Sequence, residues 1–266
     1  MLVVFTAGIG FLLGASTFSW LEFLILCLGG FLVTGAANAF NQVIEKDFDK
    51  LMKRTEDRPL AAKRMTISEG VLAAGFMSLF GISLLALLNP LTALLGTFSL
   101  VIYAFIYTPV KRISPIAVLI GAIPGALPPM IGWTAATGTL GMEAFLIFGI
   151  QFLWQFPHFW AIAWLSHEDY TKAGYFLLPS PGGKDKATAF QCLLYALSLI
   201  PIGMIGYIFS IIGWFPAIIV TITGIVYTKA AWQLYQECSD EAARKLMFSS
   251  FFYLPITLLA LLIGLL

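Results

Sequence analysis

The chain has 266 residues, of which 59% are hydrophobic and only 11% charged, with 15 Lys and Arg against 14 Asp and Glu for a net charge of +1. A soluble domain carries about 25% charged residues, so the composition excludes a water-soluble globular protein and assigns an integral membrane protein in a lipid bilayer. Basic stretches that are equally acidic give no support to a nucleic-acid partner.

A helix needs about 20 mainly apolar residues to cross a bilayer. Such runs recur at 2–18, 21–43, 69–88, 91–107, 115–136, 143–165, 189–211, 214–235 and 246–266. They predict an all-α membrane protein of about nine transmembrane helices, folded as one domain over residues 1–266; the short alternation of a β-barrel is not seen. The first run is short and the boundary at Asn89-Pro90 is tight, which leaves the count open by one. The opening Met1-Leu2-Val3-Val4-Phe5 has no basic n-region and does not read as a secretion signal. So abrupt a start fits a chain that lacks a few preceding residues. Cys27, Cys192 and Cys238 are too few and too scattered for a disulfide frame or a zinc site.

All fifteen basic residues fall in four stretches: Lys46 to Arg64 after the second run, Lys111 and Arg112 after the fourth, Lys172 to Lys186 after the sixth, and Lys229 to Lys245 around the end of the eighth. By the positive-inside rule these connections are cytoplasmic, which places the N-terminus inside and the C-terminus outside. Two of the connections, about 44–68 and 166–188, are long for a compact protein and open with acidic residues at a helix end. Long connections are usually functional or disordered.

Within the first long connection, Asn38, Asn41, Glu45 and Asp49 are spaced 3, 4 and 4 apart. On a helix they form a stripe about 80° wide, which Lys53 continues. Asp47 points elsewhere unless the helix has unwound. Such oxygens suit Mg²⁺, and asparagines inside an apolar helix usually face a functional cavity. The run Met52-Lys53-Arg54-Thr55-x-x-Arg58-Pro59-Leu60 adds phosphate-binding types. Lys53 would contribute a point charge, Arg54 and Arg58 a planar fork. Carboxylates that bind magnesium beside these cations point to a diphosphate ligand, whose greasy other end would explain the membrane. The competing reading is a solvated cytoplasmic face.

Further along, Tyr107 and Lys111 are four apart, with Tyr103 on the same face. They read either as diphosphate contacts or as an interfacial Tyr and a snorkelling Lys. His158 sits in the sixth run among Trp154, Phe156, Phe159 and Trp160, and a continuous helix would put it on one face with Asp169. It is a heme-handling candidate or a polar residue satisfied by a neighbouring helix. His167, at the helix end, reads as surface. Trp133 and Trp154 read as packing or belt residues.

Four ordered blocks carry a resemblance. They are Ala37-Asn38-Ala39-Phe40-Asn41-Gln42 through Asp47-x-Asp49-x-x-Met52-x-Arg54-Thr55-x-x-Arg58-Pro59-Leu60; Tyr107-Thr108-Pro109-Val110-Lys111-Arg112; Gly125-x-x-Pro128-Pro129-x-x-Gly132-Trp133; and Pro157-His158-Phe159-Trp160-Ala161 with Glu168-Asp169-Tyr170 and Ala173-Gly174. Together they resemble the UbiA-type intramembrane prenyltransferases, in particular the branch that farnesylates heme, over essentially the whole chain.

The resemblance implies helices bundled around a central cavity open sideways to lipid. It implies farnesyl diphosphate and heme b as substrates, Mg²⁺ as cofactor, and a bacterial cytoplasmic (inner) membrane. Heme A synthase or oxidase assembly proteins would be the protein partners. Asn41, Glu45, Asp49, Glu168 and Asp169 would hold the metal, with Asn41, Glu45, Asp49 and Asp169 catalytic. Lys53, Arg54, Arg58, Lys111 and Tyr107 would bind diphosphate. The family usually has Asp where this chain has Glu45, one methylene longer. Its second motif commonly has two aspartates three residues apart, where this chain offers Glu168-Asp169, so Asp169 ranks ahead of Glu168. No covalent nucleophile is required, and the chain has no G-x-S-x-G and no P-loop. The rival readings are a prenyltransferase acting on an aromatic quinone precursor and a multi-pass transporter, although a transporter predicts polar residues at the bilayer midplane.

Overall fold

The computed structural model describes residues 2–264, and the described residues contain helices and no strand. The expected end of the last apolar run, residues 265 and 266, lies outside them. In chain order the helices are α1 (Leu2–Gly14), α2 (Trp20–Asp49), α3 (Ile67–Leu88), α4 (Pro90–Val101), α5 (Thr108–Val110), α6 (Ala117–Thr137), α7 (Met142–Leu165), α8 (His167–Lys172), α9 (Lys186–Ile208), α10 (Trp214–Glu237) and α11 (Asp240–Ile263). A π-helical segment, Ile102–Tyr107, joins α4 to α5, so Pro90–Val110 crosses as one rod.

Among the described residues, eight helices are long and apolar enough to span a membrane. The exception is α1, whose 13 residues rise only about 20 Å against a hydrocarbon core of about 30 Å.

Local signals explain the boundaries. Asn89 accepts a hydrogen bond from the Thr92 N–H and Pro90 opens the next helix, which breaks the chain sharply between α3 and α4. Thr66 and Glu69 form a capping box on α3. Gly138, at φ +71°, ends α6 in the left-handed region. The largest departures from the expected boundaries are at two helices. Helix α2 continues to Asp49, and α11 starts at Asp240, where the Ser239 cap and the acidic pair Asp240 and Glu241 complement the helix N-terminus.

The chain forms two compact units, one running up to Thr139 and including Glu168–Leu177, the other comprising Leu140–His167 and the chain from Leu178 onward. In the first, α2 packs along α3 and α1 along α6. The α1–α6 crossing is backbone on backbone: a Cβ at Gly10 would overlap the Pro129 carbonyl, and one at Gly132 would overlap the Ala7 carbonyl. In the second, α10 packs on α9 and α11, with α7 against α9 and α11. Trp164, Tyr227, Tyr253, Leu246 and Leu254 are among its buried residues.

Candidate active site

At 30 residues, α2 is about 45 Å long, so its C-terminal turns run past a hydrocarbon core of about 30 Å. Those turns carry the stripe. Asn41, Glu45 and Asp49 are 5%, 4% and 1% exposed, while Asp47 is on the outside, paired with Lys46 at 2.7 Å and Lys50 at 2.8 Å. No unwinding of the helix brings Asp47 inward.

Each buried carboxylate has its own cation. Lys111 Nζ is 2.6 Å from Glu45 Oε1, and Arg58 Nη1 is 3.0 Å from both oxygens of Asp49. The loop that delivers Arg58 is pinned by Thr55, whose hydroxyl donates to the Asp49 carbonyl at 2.9 Å. These pairs offset the repulsion that like charges four residues apart would otherwise produce.

Lys111 reaches the site because of the π-helical segment. The Thr108 N–H bonds to the carbonyl of Tyr103, five residues back, and the widened turn sets the rings of Tyr103 and Tyr107 5.2 Å apart. Asn41 Nδ2 donates to Glu45 Oε2 at 2.8 Å and to Thr108 Oγ1 at 3.1 Å, and Thr108 Oγ1 donates to the Tyr103 carbonyl at 2.8 Å. Lys111 Nζ sits 4.8 Å from the Tyr107 ring centroid. The snorkelling reading of Lys111 is thereby overturned: the residue is 8% exposed and its charge faces a carboxylate. Burial pulls its pKa down, and Glu45 opposes that pull.

Lys53 and Arg54 are exposed and make no ion pair among the described residues. Glu168 is exposed on α8, and Asp169 lies 3.7 Å from Lys172. Among the described residues no three acidic, His or Cys side chains converge as a metal cluster. The structure therefore gathers Asn41, Glu45, Asp49, Arg58, Lys111 and Tyr107, and does not bring Glu168 and Asp169 into a cluster with them. The donor set still fits a divalent cation. Glu45 Oε1 is buried and faces a cation, the Lys111 ammonium at 2.6 Å, and hard carboxylate oxygens so placed suit Mg²⁺.

Two neighbours escape sequence reasoning. Thr108 is a small polar residue whose sequence context says nothing of Asn41. Tyr175 packs on Phe48 with ring centroids 6.4 Å apart and lies 5.5 Å from Lys111 Nζ. Its only sequence signal is an aromatic ring after Ala173-Gly174, which reads equally well as a belt residue. Burial, followed by the charge of Glu45, pushes its phenol well above the usual range.

His158 belongs to the second unit and is buried. Its Nδ1 is 2.6 Å from Ser250 Oγ, its ring stacks on Trp154 at 4.6 Å, and Phe251 meets it edge-on at 5.2 Å. No continuous helix carries both His158 and Asp169, because α7 ends at Leu165 and Ser166 leaves helical geometry (φ −103°, ψ 17°) before α8 begins. His167 packs near Gly183. Trp154 is a packing residue, its Nε1 donating to the Ser250 carbonyl at 2.8 Å.

Residues 2–255 match the UbiA prenyltransferase family. A protoheme IX farnesyltransferase from Cytophaga hutchinsonii is 48% identical over 260 residues, spanning 97% of this chain and 91% of its own. Among solved structures, that of a digeranylgeranylglyceryl phosphate synthase superposes with a TM-score of 0.82 at 19% identity, covering 99% of this chain and 92% of the other. A UbiA homolog from Archaeoglobus fulgidus bound to GPP and Mg²⁺ superposes with a TM-score of 0.69 at 13% identity, covering 97% and 95%. At those identities the structural likeness speaks for the fold.

Proposed function

The chain belongs to the UbiA prenyltransferase family, and from that premise we propose that it transfers the farnesyl group of farnesyl diphosphate to a vinyl group of heme b, with addition of water, giving heme O and diphosphate. The observation that carries the chemistry is the pair of buried carboxylates, Glu45 and Asp49, each matched with a cation at the end of one membrane helix. The choice of acceptor rests on the likeness to the Cytophaga protein along nearly the whole chain.

In this reading Asn41, Glu45 and Asp49 would hold Mg²⁺, with Asp169 and then Glu168 as the second set. When bound, the metal supplies neutralisation of the departing diphosphate. Lys111 and Arg58 exchange a carboxylate for a phosphate oxygen, Tyr107 orients the head group, and exposed Lys53 and Arg54 draw the anion in. As the C1–O bond breaks, its electron pair leaves with diphosphate. The heme vinyl carbon forms a bond to C1, and water adds to the resulting cationic carbon and releases a proton. His158 handles the heme, its Nδ1 anchored by Ser250.

The protein acts as one domain over residues 1–266 in a bacterial cytoplasmic membrane, with the connections that gather the basic residues on the inner side; an inside N-terminus further requires the short α1 to cross a locally thinned bilayer. Its product would pass to heme A synthase or oxidase assembly proteins. The test is a membrane assay with heme b, farnesyl diphosphate and Mg²⁺, read by mass spectrometry, with Asp49→Ala as control. Absence of a farnesylated heme refutes the acceptor, and prenylation of an aromatic acid instead would favour the quinone-precursor reading.

A further inference from the structure

The segment that opens with Glu168-Asp169 folds back onto the end of α5. The Phe176 N–H donates to the Lys111 carbonyl at 3.0 Å, and the Tyr175 N–H to the Tyr170 carbonyl at 2.8 Å. Between these bonds Tyr175 turns inward and is 5% exposed. Its hydroxyl is buried and completes no hydrogen bond of ordinary geometry, and its ring faces Lys111 Nζ. Glu45 Oε1, by contrast, has the Lys111 ammonium as its partner at 2.6 Å. Buried polar atoms in folded proteins almost always have partners, and one left alone is costly. A buried phenol without an acceptor, its ring 5.5 Å from the Lys111 ammonium, describes a site that a further acceptor completes.

The group must accept from a phenol, tolerate an ammonium and sit at a carboxylate that suits a cation. A diphosphate oxygen meets all three conditions. Resting on the diphosphate reading above, we propose that Tyr175 is a further substrate-binding residue, its phenolic O–H donating to the diphosphate held by Lys111. The segment bearing Glu168 and Asp169 is thereby tied to the substrate's head group.

The test uses the full chain in detergent and inorganic pyrophosphate with Mg²⁺ as probe, measured by titration calorimetry. Tyr175→Phe removes the hydroxyl and keeps the ring. It is expected to weaken pyrophosphate binding roughly ten-fold, the effect of one lost hydrogen bond to a charged acceptor. The KM for farnesyl diphosphate should rise by a similar factor with kcat within about two-fold. The unliganded melting temperature should hold or rise, since an unsatisfied group has been removed. Equal pyrophosphate affinity in the two proteins overturns the proposal. So does a lowered unliganded melting temperature with unchanged affinity, which would make Tyr175 a structural partner of Glu45. Failure of the wild type itself to bind pyrophosphate with Mg²⁺ instead overturns the diphosphate site on which the proposal rests.

Discussion

Lys111 Nζ and Glu45 Oε1 stand 2.6 Å apart with both side chains buried, although α3, α4 and the π-helical segment separate them in the chain. Removing one member of a buried pair strands the other's charge, at a cost of about 3–5 kcal/mol. Lys111→Met should therefore lower the melting temperature in detergent sharply, and adding Glu45→Gln should recover much of the loss. Neither protein should transfer farnesyl. If the double variant is no more stable than Lys111→Met alone, the pair is not the unit described.

The same burial sets a pH dependence. Lys111 has a folded-state pKa below that of a free lysine, with burial as the main cause and Glu45 opposing it. Between the folded and unfolded values the unfolded chain binds more protons, so this group's contribution to stability rises with pH there. Its ammonium, by contrast, is lost as pH climbs through the folded value, and under the proposed function diphosphate affinity should go with it. The alkaline limb of kcat/KM should start below the range of an ordinary lysine. Lys111→Arg should push that limb to higher pH, because guanidinium keeps its proton; a limb that stays in place assigns it to another group.

In the proposed mechanism Arg58 and Mg²⁺ would compete for Asp49. Chelation of divalent cations should abolish turnover, and added Mg²⁺ should restore it. Asp49→Ala should lower kcat by about a hundred-fold or more, as loss of leaving-group stabilisation does. Arg58→Ala should act mainly on the KM for farnesyl diphosphate. Undiminished turnover in chelated membranes would remove the metal from the mechanism.

The crossing of α1 and α6 offers a test of packing alone. Gly132→Ala would drive a methyl group into the Ala7 carbonyl and close to the Phe11 N–H. Neither backbone can yield cheaply, so a destabilisation of about 1–3 kcal/mol or more is expected, read as a fall in melting temperature. An unchanged melting temperature would show that the helices separate readily.

Ser250→Ala removes the partner of His158 Nδ1 and should cost about 1–3 kcal/mol. His158→Ala should shift the visible absorption of heme b added to the protein. An identical heme spectrum in wild type and variant would leave His158 as a packing residue.

Much of this protein was legible before folding. Long apolar runs can only be membrane helices, because lipid leaves a backbone no other way to satisfy its polar groups among open structures. The stripe of Asn41, Glu45 and Asp49 follows from helical spacing, which is local, and so does the outward position of Asp47. The break at Ser166 was not legible, since Leu165-Ser166-His167 contains neither Gly nor Pro to announce it.

The sequence by itself determined the membrane class and the row of oxygens, since apolar run length and side-chain period depend on neighbours along the chain. Tertiary structure decided which cations meet which carboxylates, sending Lys111 and Arg58 inward and leaving Lys53 and Arg54 outside. It also brought the Tyr175 ring to 5.5 Å from Lys111 Nζ. Those outcomes follow from a π-helical turn, the loop after α2 pinned by Thr55 and a folded-back segment, which together place groups apart in sequence within reach of one another. Burial then makes each encounter matter, because an unpaired charge away from water is far more costly than the same charge on a surface.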